Sequence, residues 1–124
     1  LLEETPRLRE ENARGRYDRL IQQAKEYIRQ NYQSEELSLN TAARAVNLSA
    51  THFSTVFKQE SGQTFIEYLT GVRMDKAREM LRATSEKTSE IAWQVGYKDP
   101  HYFHYLFKKV NGCSPKEFRA GSGR

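Results

Sequence analysis

Along most of the chain, apolar residues recur at steps of three and four, the period of a helix with one buried face, and almost nowhere in strict alternation. After a charged lead-in over residues 1–15, Leu20, Ile21, Ala24, Tyr27 and Ile28 form one stripe, predicting a first helix that ends near Asn31. Ser38 or Asn40 can cap a short second helix with Ala42, Ala43 and Val46, whose small side chains let another helix approach closely. Asn47-Leu48 turns the chain. Ser49 then caps a third helix burying Phe53, Val56 and Phe57 and closed by Gly62. From Thr64, the apolar positions Phe65, Tyr68, Leu69, Val72, Ala77, Met80 and Leu81 predict one long helix, with Gly71 as a weak spot inside it. Thr88 or Ser89 starts a short helix with Ile91, Ala92 and Val95, and Gly96-Tyr97 makes the next turn. Asp99 with Pro100 at the first helical position opens another helix that should bury Phe103, Leu106, Phe107 and Val110, closed by Gly112. Ser114-Pro115 begins a last helical turn through Phe118.

The second half repeats the first. Residues 53–69 laid over 103–119 pair Phe53 with Phe103, Phe57-Lys58 with Phe107-Lys108, Gly62 with Gly112 and Glu67 with Glu117, five identities in seventeen positions. Upstream of the turn the offset falls to 49, setting Ala43 and Val46 opposite Ala92 and Val95. Internal duplication accounts for both the core types and the helix punctuation. The expected fold is therefore all-α: about seven helices in two helix-turn-helix subdomains, residues 16–63 and 85–120, joined by a linking helix over 64–84, with a tail at 121–124.

In each unit the longer helix, about 49–60 and 99–110, has an outer face free of acids. Thr51, Ser54, Thr55 and Lys58 take positions i, i+3, i+4 and i+7 on the first; His101, His104, Tyr105 and Lys108 repeat that spacing on the second. Hydroxyls and imidazoles can donate to or accept from base edges, and threonine methyls can pack on thymine methyls. Lysines at the helix ends reach phosphates, as does the helix N-terminus at Ser49; the Asp99 carboxylate would repel a phosphate and is read as a cap.

The strings "YIRQNYQSEELSLNTAARAVNLSATHFSTVFKQESGQTFIEYL", "RMDKAREML" and "SEIAWQVGYKDPHYFHYLFKKVNGCSPKEFR", about residues 17–119, resemble the DNA-binding domain of AraC/XylS-type transcription regulators. The last string is the most specific, with its glycine-aromatic turn, Tyr-Phe pair, Phe-Lys-Lys, Gly-x-Ser-Pro and terminal aromatic-Arg. The resemblance implies sequence-specific binding to double-stranded promoter DNA, with two recognition helices in adjacent major grooves. It assigns base reading to Thr51, Ser54 and Thr55 and to Pro100, His101, His104 and Tyr105; Ser49, Lys58, Lys108 and Lys109 are the expected phosphate contacts. Family members often carry larger side chains at the first set, so more sequence information is expected through the second helix. RNA polymerase is a further candidate partner, and any dimerisation is assigned to a missing upstream regulatory domain. Residues 1–15 would be the linker from that domain, either the end of a signalling helix or coiled coil or a tail, and the Leu1 start suits an excised piece.

Composition narrows the picture without deciding it. The net charge of +4 is uneven: residues 1–36 carry seven Lys/Arg against eight Asp/Glu, and residues 37–124 thirteen against eight. A positive surface attracts phosphate backbones, yet many soluble proteins are as basic. One cysteine, Cys113, excludes an internal disulfide framework and thiolate clusters, and no stretch has the composition of a secretory signal or a membrane span, so a cytoplasmic location is expected. No cofactor is called for: His101 and His104 lack a third metal ligand, and no phosphate loop or nucleophile motif points to an enzyme. Arg73, Lys76, Arg78 and Arg82 read as a solvated face, with Arg73 evenly balanced between a structural role and a phosphate contact. The phenylalanines read as core, and Trp93 as a cover for either the first unit or the duplex backbone. The rival to DNA binding is a helical protein-interaction module presenting the same His/Tyr surface.

Overall fold

The computed structural model describes residues 6–121, so residues 1–5 of the lead-in and 122–124 of the tail lie outside it. Seven helices follow one another: α1 Pro6–Asn31, α2 Leu39–Ala45, α3 Ala50–Ser61, α4 Phe65–Ala83, α5 Thr88–Gln94, α6 Pro100–Asn111 and α7 Pro115–Arg119. Helix α1 packs on α2 and α3, α5 packs on α6, and α4 touches α3, α5 and α7, so the linking helix belongs to both units. α1 begins well before the expected stripe, at Pro6, because a charged segment lacking an apolar face can still continue the helical ladder of the residues after it.

Local chemistry sets the boundaries. The Ser38 hydroxyl accepts from the Thr41 amide while Thr41 answers to the Ser38 amide, which selects Ser38 over Asn40 as the cap of α2. Thr64 with Glu67 and Ser114 with Glu117 build the same reciprocal box at the starts of α4 and α7, fifty residues apart. Each carboxylate there is held below its ordinary value, chiefly by the hydrogen bond from the backbone N–H of the cap residue. Helices α3 and α6 both end on a left-handed glycine, Gly62 and Gly112, each at φ 78°. The two turns are equivalent as well. Leu48 N–H donates to Ala43 C=O and Tyr97 N–H to Ala92 C=O, with Asn47 at φ 60° and Gly96 at φ 106° taking the left-handed position.

The core is a run of apolar side chains from both units, including Phe53, Phe57, Phe103 and Phe107 at 0% exposure. Two expectations fail at its edge. Val110, on the buried stripe by periodicity, is half exposed because it falls in the last turn of α6, where no neighbouring side chain covers it; Leu106 is only partly buried. Trp93 is 66% exposed and borders a groove shared with Tyr32 and Glu35 of the first unit and Lys98 of the second.

Arg73 corrects the reading of the linking helix as a solvated face. Its side chain is buried, with Nε donating to Tyr32 C=O at 2.9 Å and an Nη to Ser34 C=O at 2.9 Å, so it ties down the loop that follows α1. The guanidinium also lies 4.9 Å above the Tyr97 ring in the turn of the second unit. Burial pushes the Tyr97 phenol above its ordinary value, with Arg73 opposing the shift. Arg119 repeats the device at the end of α4, donating to Leu81 C=O and Thr84 C=O. Arg78 reaches Asn111 and Asp75, and Arg82, itself exposed, lies over the Phe118 ring.

Gly96 is built into the same junction. A Cβ there would sit 2.5 Å from Tyr32 O and 2.8 Å from the Arg73 guanidinium carbon, and its φ of 106° is a region that L side chains rarely adopt. Arg73→Met, which removes the bonds to the Tyr32 and Ser34 carbonyls, should lose about 1–3 kcal/mol in urea unfolding. Gly96→Ala should lose at least about 2 kcal/mol through overpacking and strain. A midpoint unchanged in both variants would remove the junction from the account of stability. Because the folded-state carboxylates of Glu67 and Glu117 titrate below their unfolded value, their contribution is complete above the ordinary carboxylate range and is lost as pH falls through the lowered one. The double variant Glu67→Gln, Glu117→Gln should therefore show a shallower fall of thermal midpoint with acid than the parent protein.

Candidate nucleic-acid interface

Inner and outer faces separate cleanly on the two longer helices. On α3, Phe53, Val56 and Phe57 are buried, which turns Thr51, Ser54, Thr55 and Lys58 outward, all four exposed. On α6, burial of Phe103 and Phe107 leaves Pro100, His101, His104, Tyr105 and Lys108 exposed in the matching positions. The structure thus brings each expected set together along one helix, in the same place of each repeat. Neither row contains a carboxylate, and α6 has no acid anywhere along its length.

The helix starts are arranged for that exposure. The Ser49 hydroxyl accepts from the His52 amide at 3.1 Å, and the Asp99 carboxylate accepts from the His101 amide at 2.9 Å, so Asp99 is the cap expected of it. The Thr55 hydroxyl donates to Thr51 C=O at 3.2 Å, which aims its proton at the helix and leaves its lone pairs and methyl outward. Lys58 reaches Gly62 C=O at the limit of 3.5 Å and stays exposed. Lys109 lies 5.9 Å above the Tyr105 ring, and Tyr105 stacks on Tyr102 with centroids 6.4 Å apart and planes at 26°. The outer face of α6 is therefore ordered by its own contacts.

Two exposed aromatic side chains beside these rows, His52 and Tyr102, are absent from the expected set. They are equivalent at the offset of fifty, and each ring meets a tyrosine from a neighbouring segment: Tyr17 of α1 for His52, and Tyr97 of the second turn for Tyr102. The repeat alignment over 53–69 and 103–119 stops one residue short of them, and extending it pairs unlike residues. Among the described residues no group of His, Cys, Asp or Glu could hold a metal ion, and no helix is long and apolar enough to cross a membrane.

Comparison with known proteins gives the same frame. The helix-turn-helix domain family matches residues 42–121. Over 99 residues the chain is 39% identical to the lactose operon transcription activator of Staphylococcus xylosus, covering 80% of this chain and 35% of that protein. It is similar in structure to the C-terminal domain of AraT, a response regulator from Geobacillus stearothermophilus, with a TM-score of 0.80 and 39% identity over 82% of this chain and 84% of that one. It shares the fold alone with the DNA-binding domain of AdpA, a global transcriptional factor solved in complex with a target DNA, at 20% identity and a TM-score of 0.77 over 82% of this chain and 90% of the other. The chain spans about a third of the length of the curated relatives it matches. With a duplicated helix-turn-helix unit, two acid-free outer faces and these relatives, the chain belongs to the AraC/XylS-type family of helix-turn-helix transcription regulators, whose DNA-binding domain it forms.

Proposed function

We propose that this domain binds promoter DNA with α3 and α6 lying in two successive major-groove segments on one face of the duplex. The observation that carries the reading is the pair of equivalent, exposed, acid-free rows on helices whose inner faces are fixed in one shared core. A helix enters the major groove without deforming it, and side chains of the size and chemistry in these rows reach base edges there.

The two rows divide the work unequally. Thr51, Ser54 and Thr55 are short and read through methyl contacts or water, so the first unit mainly supplies affinity. His101, His104 and Tyr105 are longer, carry ring N–H or O–H groups, and take most of the sequence information. Pro100 fixes the backbone where α6 enters the groove. Ser49, Lys58, Lys108 and Lys109 hold the phosphates that set register. RNA polymerase bound at the same promoter is a partner in keeping with transcription regulation, and dimerisation, where it occurs, belongs to an upstream regulatory domain reached through residues 1–15. A cytoplasmic location follows from the same reading.

Selection of the preferred duplex from random sequence, followed by titration of variants, tests these roles. Replacing His104 or Tyr105 with Ala should cost about 1–3 kcal/mol on the preferred site and relax preference in one half only. Lys108→Ala should weaken all duplexes alike and lower the slope of log affinity against log salt by about one. Binding that is indifferent to salt and sequence in the parent protein would instead favour the protein-interaction module.

A further inference from the structure

A helix laid in the major groove faces base edges with its outer row and sugar-phosphate walls with its flanks. At 100° per residue, His52 lies on the flank of α3 beyond Thr55, and Tyr102 on the same flank of α6 beyond Tyr105. Both are exposed, Tyr102 at 51%, yet neither ring is left to itself. The His52 and Tyr17 rings meet at 84° with centroids 5.7 Å apart, and the Tyr102 and Tyr97 rings at 67° and 5.9 Å. One arrangement thus recurs in both units: an exposed ring carrying a hydrogen-bond donor, propped edge-on by a tyrosine outside its own helix.

We infer that His52 and Tyr102 are phosphate-binding residues, one on the same flank of each reading helix, and that Tyr17 and Tyr97 are the positioning residues that hold them there. This rests on the DNA-binding reading above and extends it to residues outside the two base-reading rows. Propping matters because a side chain ordered before binding loses less freedom when it meets its ligand. On α6 the flank goes on through Tyr105, stacked on Tyr102, to Lys109 above the Tyr105 ring, so a phenol and an ammonium line the same wall. On α3 the device includes a choice of tautomer. The Tyr17 hydroxyl lies 3.4 Å from His52 Nε2. When the phenol donates to Nε2, the imidazole proton sits on Nδ1, which hydrogen-bonds to nothing else among the described residues and can donate to a phosphate oxygen. The opposite tautomer would present a lone pair to that oxygen, so duplex binding selects the first.

The test is equilibrium binding by fluorescence anisotropy on the selected duplex and an unrelated one, at several salt concentrations. His52→Ala and Tyr102→Phe should each weaken both duplexes by the same factor, about tenfold, as loss of a hydrogen bond to a charged group would. Because the donors are neutral, the salt slope should stay that of the parent, in contrast to Lys108→Ala. Tyr17→Phe keeps the ring contact and loses only the hydroxyl; it should weaken both duplexes, and in ring 15N spectra of the free protein it should move the His52 proton toward Nε2. Thermal unfolding of each variant verifies the fold, and Tyr102→Phe retains the stacked ring. Parent-like binding by both His52→Ala and Tyr102→Phe, while the parent binds DNA, overturns this inference alone, as does a loss confined to the selected duplex. Failure of the parent to bind either duplex overturns it together with the DNA-binding reading.

Discussion

Arg73 meets both units within the reach of one side chain. Its guanidinium satisfies two carbonyls beyond the end of α1 and lies on Tyr97, the turn residue of the second unit, while Gly96 leaves the space that lets these groups approach. A buried guanidinium is costly unless its donors are matched, and here the fork geometry matches them to the Tyr32 and Ser34 carbonyls. The linking helix α4 contributes apolar residues to the common core, but burial alone is non-directional. The directed contacts at Arg73 fix how the first unit is turned relative to the second. Lys98, the one residue by which the second turn exceeds the first, adds an exposed ion pair with Glu35 at 2.8 Å, a minor supplement.

The same junction runs on into the outer face of α6. Tyr97 lies under Arg73 and against Tyr102, Tyr102 stacks on Tyr105, and Tyr105 carries Lys109 above its ring. The outer face of α6 is thereby tied to the element that holds the units together, whereas α3 is tied back to α1 through Tyr17 and His52. Duplication supplied two copies of one scaffold, including the capping boxes at Thr64 and Ser114 and the left-handed ends at Gly62 and Gly112. The outer residues then diverged, leaving short hydroxyl side chains on one helix and rings on the other.

What could be read from the sequence is what local physics decides. Phenylalanines four apart, the caps Ser49 and Asp99, and the glycines that end α3 and α6 act within a turn or two of themselves, so helix number, order and inner faces followed from spacing. Arg73 was hidden because its partners are main-chain carbonyls 41 and 39 residues away, and an arginine on a helix otherwise reads as solvated. Val110 was misassigned because periodicity marks a face but not how far the covering element extends. The exposed outer rows of α3 and α6 were legible because they are the complement of the buried stripe. His52 and Tyr102 were not, since their props, Tyr17 and Tyr97, belong to other segments.

On the proposed reading, these contacts make α3 and α6 a single ruler with fixed spacing and phase, so that affinity for a full site depends on both halves being met at once. The most direct test inserts base pairs between the two halves of the selected duplex. Five added base pairs turn one half about half a helical turn away from the protein. Held as described, the domain should lose the contribution of one helix, and binding should fall to that of an isolated half-site; ten added base pairs restore the phase but add about 34 Å, so at fixed spacing they should not restore affinity. Affinity unchanged by the five-base-pair insertion would show that the two units move independently and would contradict the account.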